Sequence, residues 1–177
     1  MKTQKKSKRL TYDLFKKNIL IIGYGRTGKS LSKILKNFST NIFIYDPFIK
    51  KTPKFVKKVS LAFGLKNADI ISIHTPLSLS TKNLISKKEF SKMKKNAIII
   101  NTSRGGIINE NYLDLFLKKR KILAAGIDVY ENEPELNLPL SKNKFAVFTP
   151  HVSSSTEECR TNMSIEAAQN IINFYKK

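Results

Sequence analysis

Residues 19–30 read Ile19-Leu20-Ile21-Ile22-Gly23-Tyr24-Gly25-Arg26-Thr27-Gly28-Lys29-Ser30, and the fold of the chain is decided there. Four apolar residues in a row suit a buried strand, and the glycines after them suit a turn. Leu31, Ile34, Leu35 and Phe38 then recur at helical spacing, predicting one apolar face on a helix that runs to about Phe38. Strand, glycine turn and helix in that order let backbone amides hold a phosphate. Gly23 permits the tight turn, Gly25 lets an anion approach the backbone, and Gly28 lets helix and strand pack closely. The helix N-terminus adds unpaired N–H groups and the positive end of its dipole. Two patterns fit the same letters. Gly23, Gly25 and Gly28 spell G-x-G-x-x-G, a dinucleotide fingerprint; Gly23, Gly28, Lys29 and Ser30 spell G-x-x-x-x-G-K-S, a nucleoside-triphosphate loop. The octet alone leaves both open.

Composition narrows the class. A chain of 177 residues with 41% apolar content can bury one sizeable core. No apolar run is long enough to cross a bilayer, and residues 1–17 lack the apolar centre of a signal peptide. The single cysteine, Cys159, excludes an internal disulfide framework and fits a reducing cytoplasm. The net charge of +20 is the oddity. Its lysines are spread along the chain, which is also rich in Ile and Asn. All three residues have AT-rich codons, so base composition accounts for the charge and a nucleic-acid partner is not expected.

Along the chain, residues 1–17 read as a basic, flexible arm. A second strand, Asn41-Ile42-Phe43-Ile44-Tyr45, stops at Asp46-Pro47. A short strand is expected at 55–59, a helical turn at 61–67 and a buried strand at 69–74 halted by Thr75-Pro76. Ser86 with Glu89 forms a capping-box pattern. Further strands are expected at 97–101, 122–128 and 145–148. Asn109 caps a helix with Tyr112, Leu113, Phe116 and Leu117 on one face. Ser155 with Glu158 suggests a second capping box, opening a helix with Cys159, Met163, Ala167, Ile171 and Phe174 on one stripe and Cys159 in the core. Near-continuous apolar strands alternating with amphipathic helices imply an α/β fold: a doubly wound parallel sheet with helices on both faces. Ligands of such sheets bind at the strand carboxyl ends, where Gly23, Asp46, Thr75, Thr102, Asp128 and His151 fall. Asp46 lies where a dinucleotide site wants a carboxylate for ribose hydroxyls; the competing reading makes it the magnesium carboxylate of an NTPase.

Downstream, His74-Thr75-Pro76-Leu77, Asn101-Thr102-Ser103-Arg104-Gly105-Gly106, Gly126-Ile127-Asp128-Val129-Tyr130, Glu133-Pro134 and Thr149-Pro150-His151 occur in fixed order. From residue 18 onward the chain resembles the D-isomer-specific 2-hydroxyacid dehydrogenases, phosphoglycerate dehydrogenase-like members most of all. That resemblance favours NAD on a Rossmann-type sheet over a triphosphate. It implies an oxidoreductase moving a hydride between nicotinamide and a small 2-hydroxy or 2-keto acid. Arg104 matches the substrate-binding arginine, a forked donor that keeps its charge. His151 matches the general acid/base and Glu133 its carboxylate partner, which favours the imidazolium. Arg26 and Thr27, with Gly23, Gly25 and Gly28, match the pyrophosphate contacts, and Asp46 the ribose contact. Thr75 and Pro76 match the adenosine side; Thr102, Ser103, Asp128 and Ser153 match the nicotinamide half, Asp128 at the carboxamide. His74 is read as structural, and no metal site is expected.

The resemblance divides the chain into an arm (1–17), an NAD-binding domain (18–153) and a helix (154–177) that in the family helps join the substrate domain. That domain is built mainly from residues before the first Rossmann strand, and this chain starts almost at that strand. The expectations are therefore a fragment of a longer enzyme, one piece of a split enzyme, or a stand-alone NAD-sensing, corepressor-like module. The family commonly dimerises through this domain, so a homodimer is expected.

Overall fold

The structure is a computed structural model that describes residues 12–135 and 138–176. Its centre is β1 (Asn18–Ile22), whose alternate residues face opposite ways: Leu20 and Ile22 enter one apolar cluster, Ile19 and Ile21 the other. Such two-sided burial is what a run without polar alternation requires. Around it stand β2 (Asn41–Tyr45), β3 (Val56–Lys58), β4 (Ile70–Ile73), β5 (Ile98–Asn101), β6 (Ala124–Ile127) and β7 (Ala146–Phe148). All pairings are parallel, in the order β3-β2-β1-β4-β5-β6-β7. The order reverses between β1 and β4, and a crevice opens at such a switch point. The expected doubly wound architecture is therefore present.

Helices lie on both faces. On one, α2 (Leu61–Asn67), α3 (Lys87–Phe90), α4 (Glu110–Lys118) and α5 (Leu138–Ser141) contribute Leu65, Phe90, Leu113, Leu117 and Leu140 to the larger cluster. On the other, α1 (Arg26–Leu35), continued by a 3₁₀ turn at Lys36–Phe38, contributes Leu35 to the smaller one. Two predicted caps form: Asn109 accepts the Tyr112 N–H at 3.1 Å, and Glu89 accepts the Ser86 N–H at 3.4 Å. No helix is long and apolar enough to cross a membrane among the described residues.

Four expectations need correction. The buried face of α1 is Gly28, Ser32 and Leu35, while Ile34 and Phe38 are 59% and 49% exposed. A Cβ on Gly28 would lie 2.2 Å from the Gly23 carbonyl oxygen. That backbone approach fixes the rotation of the helix and turns Ile34 outward. Tyr24 then fills the space beside it, hydrogen-bonded to Ser32 at 3.0 Å. In α6 (Glu157–Tyr175) the cap is Thr156, which accepts the Cys159 N–H, so Ser155 lies one residue too early. No residue of α6 is buried, and Met163, Ile171 and Phe174 are all more than half exposed. Helical spacing identifies a face that wants cover without saying what covers it. Cys159 is accordingly half-buried instead of core. Finally, residues 1–11 of the expected arm lie outside the described residues, but Leu14 packs on the smaller cluster and the Lys17 N–H closes a turn onto the Leu14 carbonyl.

Candidate functional site

Helix α1 starts at Arg26 with Gly25 as its cap, so the turn after β1 is only Gly23–Gly25. A triphosphate loop must wrap its backbone around the phosphates before the Lys-Ser pair. Here the Lys29 N–H already bonds the Gly25 carbonyl at 3.0 Å, and Gly28, Lys29 and Ser30 are helical. The G-x-x-x-x-G-K-S match is a coincidence of letters. Each glycine of the other pattern has a separate reason. Gly23 sits at φ +91, and a Cβ there would meet the His74 carbonyl at 2.5 Å. Gly28 is held by the approach described above. Gly25 has nothing within 4 Å of where a Cβ would stand. Its lack of a side chain serves nothing inside the protein and leaves the amides of the first helical turn open to an anion.

A cleft of about 440 Å³ lies over this turn, bounded by Gly23, Gly25, Asp46, Thr75 and Pro76. It continues past His74, Thr75 and Pro76 into a second region lined by Thr27, Thr102, Ser103 and Arg104. Asp46 is pinned at the lip: Oδ2 accepts the Tyr24 N–H at 2.8 Å and Oδ1 the Phe48 N–H at 2.9 Å. His74 pairs through Nε2 with Ser72 Oγ at 2.8 Å, and burial pushes its pKa down. Its ring is thus tied back to the strand that it follows.

Arg104, Glu133 and His151 come from loops after β5, β6 and β7. The Glu133 Oε2 and His151 Nδ1 atoms are 2.8 Å apart, and Glu133 Oε1 accepts the Tyr130 N–H at 3.0 Å. The hydrogen bond from His151 holds the Glu133 carboxyl below the usual range against a smaller desolvation; the Tyr130 amide and the charges of His151 and Arg104 act in the same direction. The Arg104 guanidinium is exposed, with Nη1 donating to the Ser103 carbonyl at 2.6 Å.

The resemblance placed Asp128 at the carboxamide. In the structure this carboxylate is 3% exposed and organises the last loop: Oδ1 accepts the Val152 N–H at 2.9 Å and the Thr149 hydroxyl, and Oδ2 accepts the Ser153 N–H at 3.0 Å. Desolvation pushes its pKa up, but these donors outweigh it and hold the group below the ordinary aspartate range. Ser153 is therefore positioned through its backbone.

Three residues that bind these loops together were not singled out from sequence. Tyr130 is 8% exposed; its N–H meets Glu133, its hydroxyl donates to the Thr149 carbonyl, and its ring stacks on Phe148. Its carbonyl also presses on Gly105, where a Cβ would come within 1.7 Å. Glu110, in the first turn of α4, accepts the Glu131 N–H at 2.8 Å. Buried Asn101 donates to the Arg104 carbonyl and accepts from the Ser103 N–H and hydroxyl. The Gly105-Gly106 doublet was the one available signal, since adjacent glycines after a strand advertise a close approach.

Comparison with known proteins agrees with this geometry. A family model described as D-isomer specific 2-hydroxyacid dehydrogenase, NAD binding domain, matches residues 1–153. Glyoxylate reductase of Thermococcus litoralis is 40% identical over 94% of this chain and 51% of its own length. D-3-phosphoglycerate dehydrogenase of Methanocaldococcus jannaschii is 39% identical over 90% of this chain and 31% of its own length. The chain thus spans about half, or less, of these curated relatives. Among solved structures, the NAD-complexed D-isomer specific 2-hydroxyacid dehydrogenase of Lactobacillus delbrueckii ssp. bulgaricus superposes with a TM-score of 0.86 at 28% identity, covering 94% of this chain and 56% of that one. Because the matched span contains the glycine turn and every loop that meets at the cleft, the chain belongs to the D-isomer specific 2-hydroxyacid dehydrogenase family, as its Rossmann-type NAD-binding domain.

Proposed function

We propose that this chain supplies the cofactor site and the acid/base of a D-2-hydroxyacid dehydrogenase, of the kind that handles glyoxylate, hydroxypyruvate or D-3-phosphoglycerate. The observation that carries the reading is the Glu133–His151 pair, held at 2.8 Å. NAD in the cleft supplies the hydride acceptor or donor for C2 of the substrate. The amides around Gly23 and Gly25, with Arg26 and Thr27, hold its pyrophosphate, and Asp46 its ribose. Thr75 and Pro76 flank the adenosine side; Thr102, Ser103 and Ser153 serve the nicotinamide half, with Asp128 holding the Ser153 loop in place.

Arg104 draws in the substrate carboxylate and polarises its carbonyl. Glu133 fixes the His151 ring through Nδ1, leaving the other ring nitrogen to exchange a proton with the substrate oxygen. Helix α6 joins this domain to a substrate domain, in the same polypeptide or a separate one, in a cytoplasmic homodimer. The test is NADH oxidation with a panel of 2-keto acids, for this chain alone and with a substrate domain supplied. His151→Asn is expected to lower kcat by about 10²-fold or more while NADH still binds. Equal rates for wild type and variant would overturn the acid/base assignment. A second reading follows from the half-length match to relatives: NADH binding with no turnover under either condition would make the chain an NAD-sensing module.

A further inference from the structure

All seven strands are parallel, so the residues before them gather on one edge of the sheet, opposite the cleft. A lysine stands before every strand: in sheet order Lys54, Lys36, Lys17, Lys66, Lys95, Lys121 and Lys144. All but half-buried Lys17 are exposed. Their sequence spacing is irregular, which is why the chain shows no basic stripe; the topology makes one. Neighbouring strands lie roughly 4.8 Å apart, so the strand starts these lysines precede span about 29 Å, with Lys36 at the end of α1 on one face of the sheet and Lys66 at the end of α2 on the other. Acids on this edge are few among the described residues. Asp69 is paired with Lys94 at 2.8 Å, and Asp114 is 7% exposed and paired with Lys118 at 2.6 Å; Asp13 is the exposed one.

Aromatic side chains are interleaved with the cations. Tyr12, Phe15 and Phe38 are 71%, 56% and 49% exposed, with Lys17 Nζ 6.0 Å from the Tyr12 ring and Lys16 Nζ 5.0 Å from that of Phe15. Midway along the row a pocket of about 110 Å³ opens, lined by Tyr12 and Lys17 with Ile98, Leu123, Asn96 and Asp69.

We infer that this edge is a track for single-stranded nucleic acid, with phosphates on the lysine row and an unpaired base in the pocket against Tyr12. This reverses the reading of the charge as a diffuse consequence of base composition. A narrow band of cations along one sheet edge suits a linear polyanion, whereas a membrane would engage a broad surface. Exposed ring faces can stack on unpaired bases, whose faces a duplex keeps covered, which favours single strands over duplex. The inference does not rest on the proposed dehydrogenase activity.

The test is fluorescence anisotropy with a labelled twenty-nucleotide oligo-dT or oligo-U over a range of salt. One variant carries Lys95→Glu, Lys121→Glu and Lys144→Glu; a control of equal net charge carries Lys50→Glu, Lys82→Glu and Lys88→Glu, exposed lysines off the row. The row variant is expected to lose about tenfold affinity or more and to lower the salt slope by about two, at roughly 0.7 per phosphate contact. The control should stay within about threefold. Tyr12→Ala should weaken binding about fivefold or more with the slope unchanged. NADH binding, measured on each variant, reports that the fold is intact and separates this outcome from any failure of the dehydrogenase reading. Equal loss in both triple variants would reduce the effect to diffuse net charge and overturn the track. Absent binding at near-physiological salt, or tighter competing binding to vesicles containing anionic lipid, would overturn it as well.

Discussion

The two ends of this sheet are built from the same strands and solve different problems. At the carboxyl ends, polar groups are locked: Asp128 holds three donors, Glu133 is fixed by His151 and Tyr130, and Asn101 ties Arg104 to its own loop. At the amino ends, most charges stand in solvent, and the Asp69–Lys94 pair is one exception. Backbone precision is needed where, in the proposed function, a cofactor and a substrate would meet. A repeated charge needs only the topology to line it up. Substitutions should therefore be costly for stability at one end and nearly silent at the other.

Gly105→Ala should show the largest effect. The added methyl would meet the Tyr130 carbonyl at 1.7 Å, a backbone atom that cannot rotate away. A loss on the order of 3 kcal/mol in urea unfolding is expected, with Arg104 displaced. Gly25→Ala sharpens the comparison, because the same methyl meets nothing in the protein. Its stability should be unchanged or slightly raised, while NADH affinity falls tenfold or more, about 1.4 kcal/mol. If Gly25→Ala binds NADH normally, the anion does not approach that turn.

Asp128→Asn comes next, at about 2 kcal/mol near neutral pH, because an amide nitrogen would face a backbone N–H it cannot accept. The folded-state pKa of Asp128 lies below the ordinary 3.8, so its stabilisation is complete above the unfolded value and disappears as pH falls through the folded one. The gap between wild type and variant should then be constant above about pH 5 and close in stronger acid. Equilibrium unfolding at several pH values checks this; a gap that persists in strong acid would mean that shape, and not charge, holds the loop. Tyr130→Phe is milder, about 1 kcal/mol, since it removes only the hydrogen bond to the Thr149 carbonyl. Its kcat should fall more than its KM changes if the tyrosine positions His151.

These effects also mark what could be seen in the chain beforehand. Strands were legible because β1, β4 and β5 are nearly all apolar, and the Glu133–His151 contact followed from motifs that occur in fixed order. Tyr130 was not, since its partners lie at Glu133, Gly105 and Thr149, and no local spacing connects them. The wrong face was chosen for α1 because hydrophobic spacing ignores the contact at Gly28 that sets the rotation of the helix. The lysine row was invisible for a similar reason: its members are neighbours only after the strands are ordered β3-β2-β1-β4-β5-β6-β7.

The smallest effect tests the amino end directly. Lys66 is exposed one turn before β4, whereas Lys94 is paired with Asp69. Lys66→Gln should change stability by no more than about 0.5 kcal/mol, and relief of repulsion from neighbouring lysines can make the change favourable. Lys94→Gln should cost more, because Lys94 opposes the desolvation of Asp69 and, with the Asn18 amide, keeps that carboxyl below its ordinary range. The stability that Lys94 adds is present above the unfolded aspartate value and is lost as pH falls through the folded one, so the two variants should converge in acid. Urea denaturation near neutral pH and in acid measures both. A cost at Lys66 equal to that at Lys94 would give the row a structural role, and the contrast between a locked end and a free end would fail.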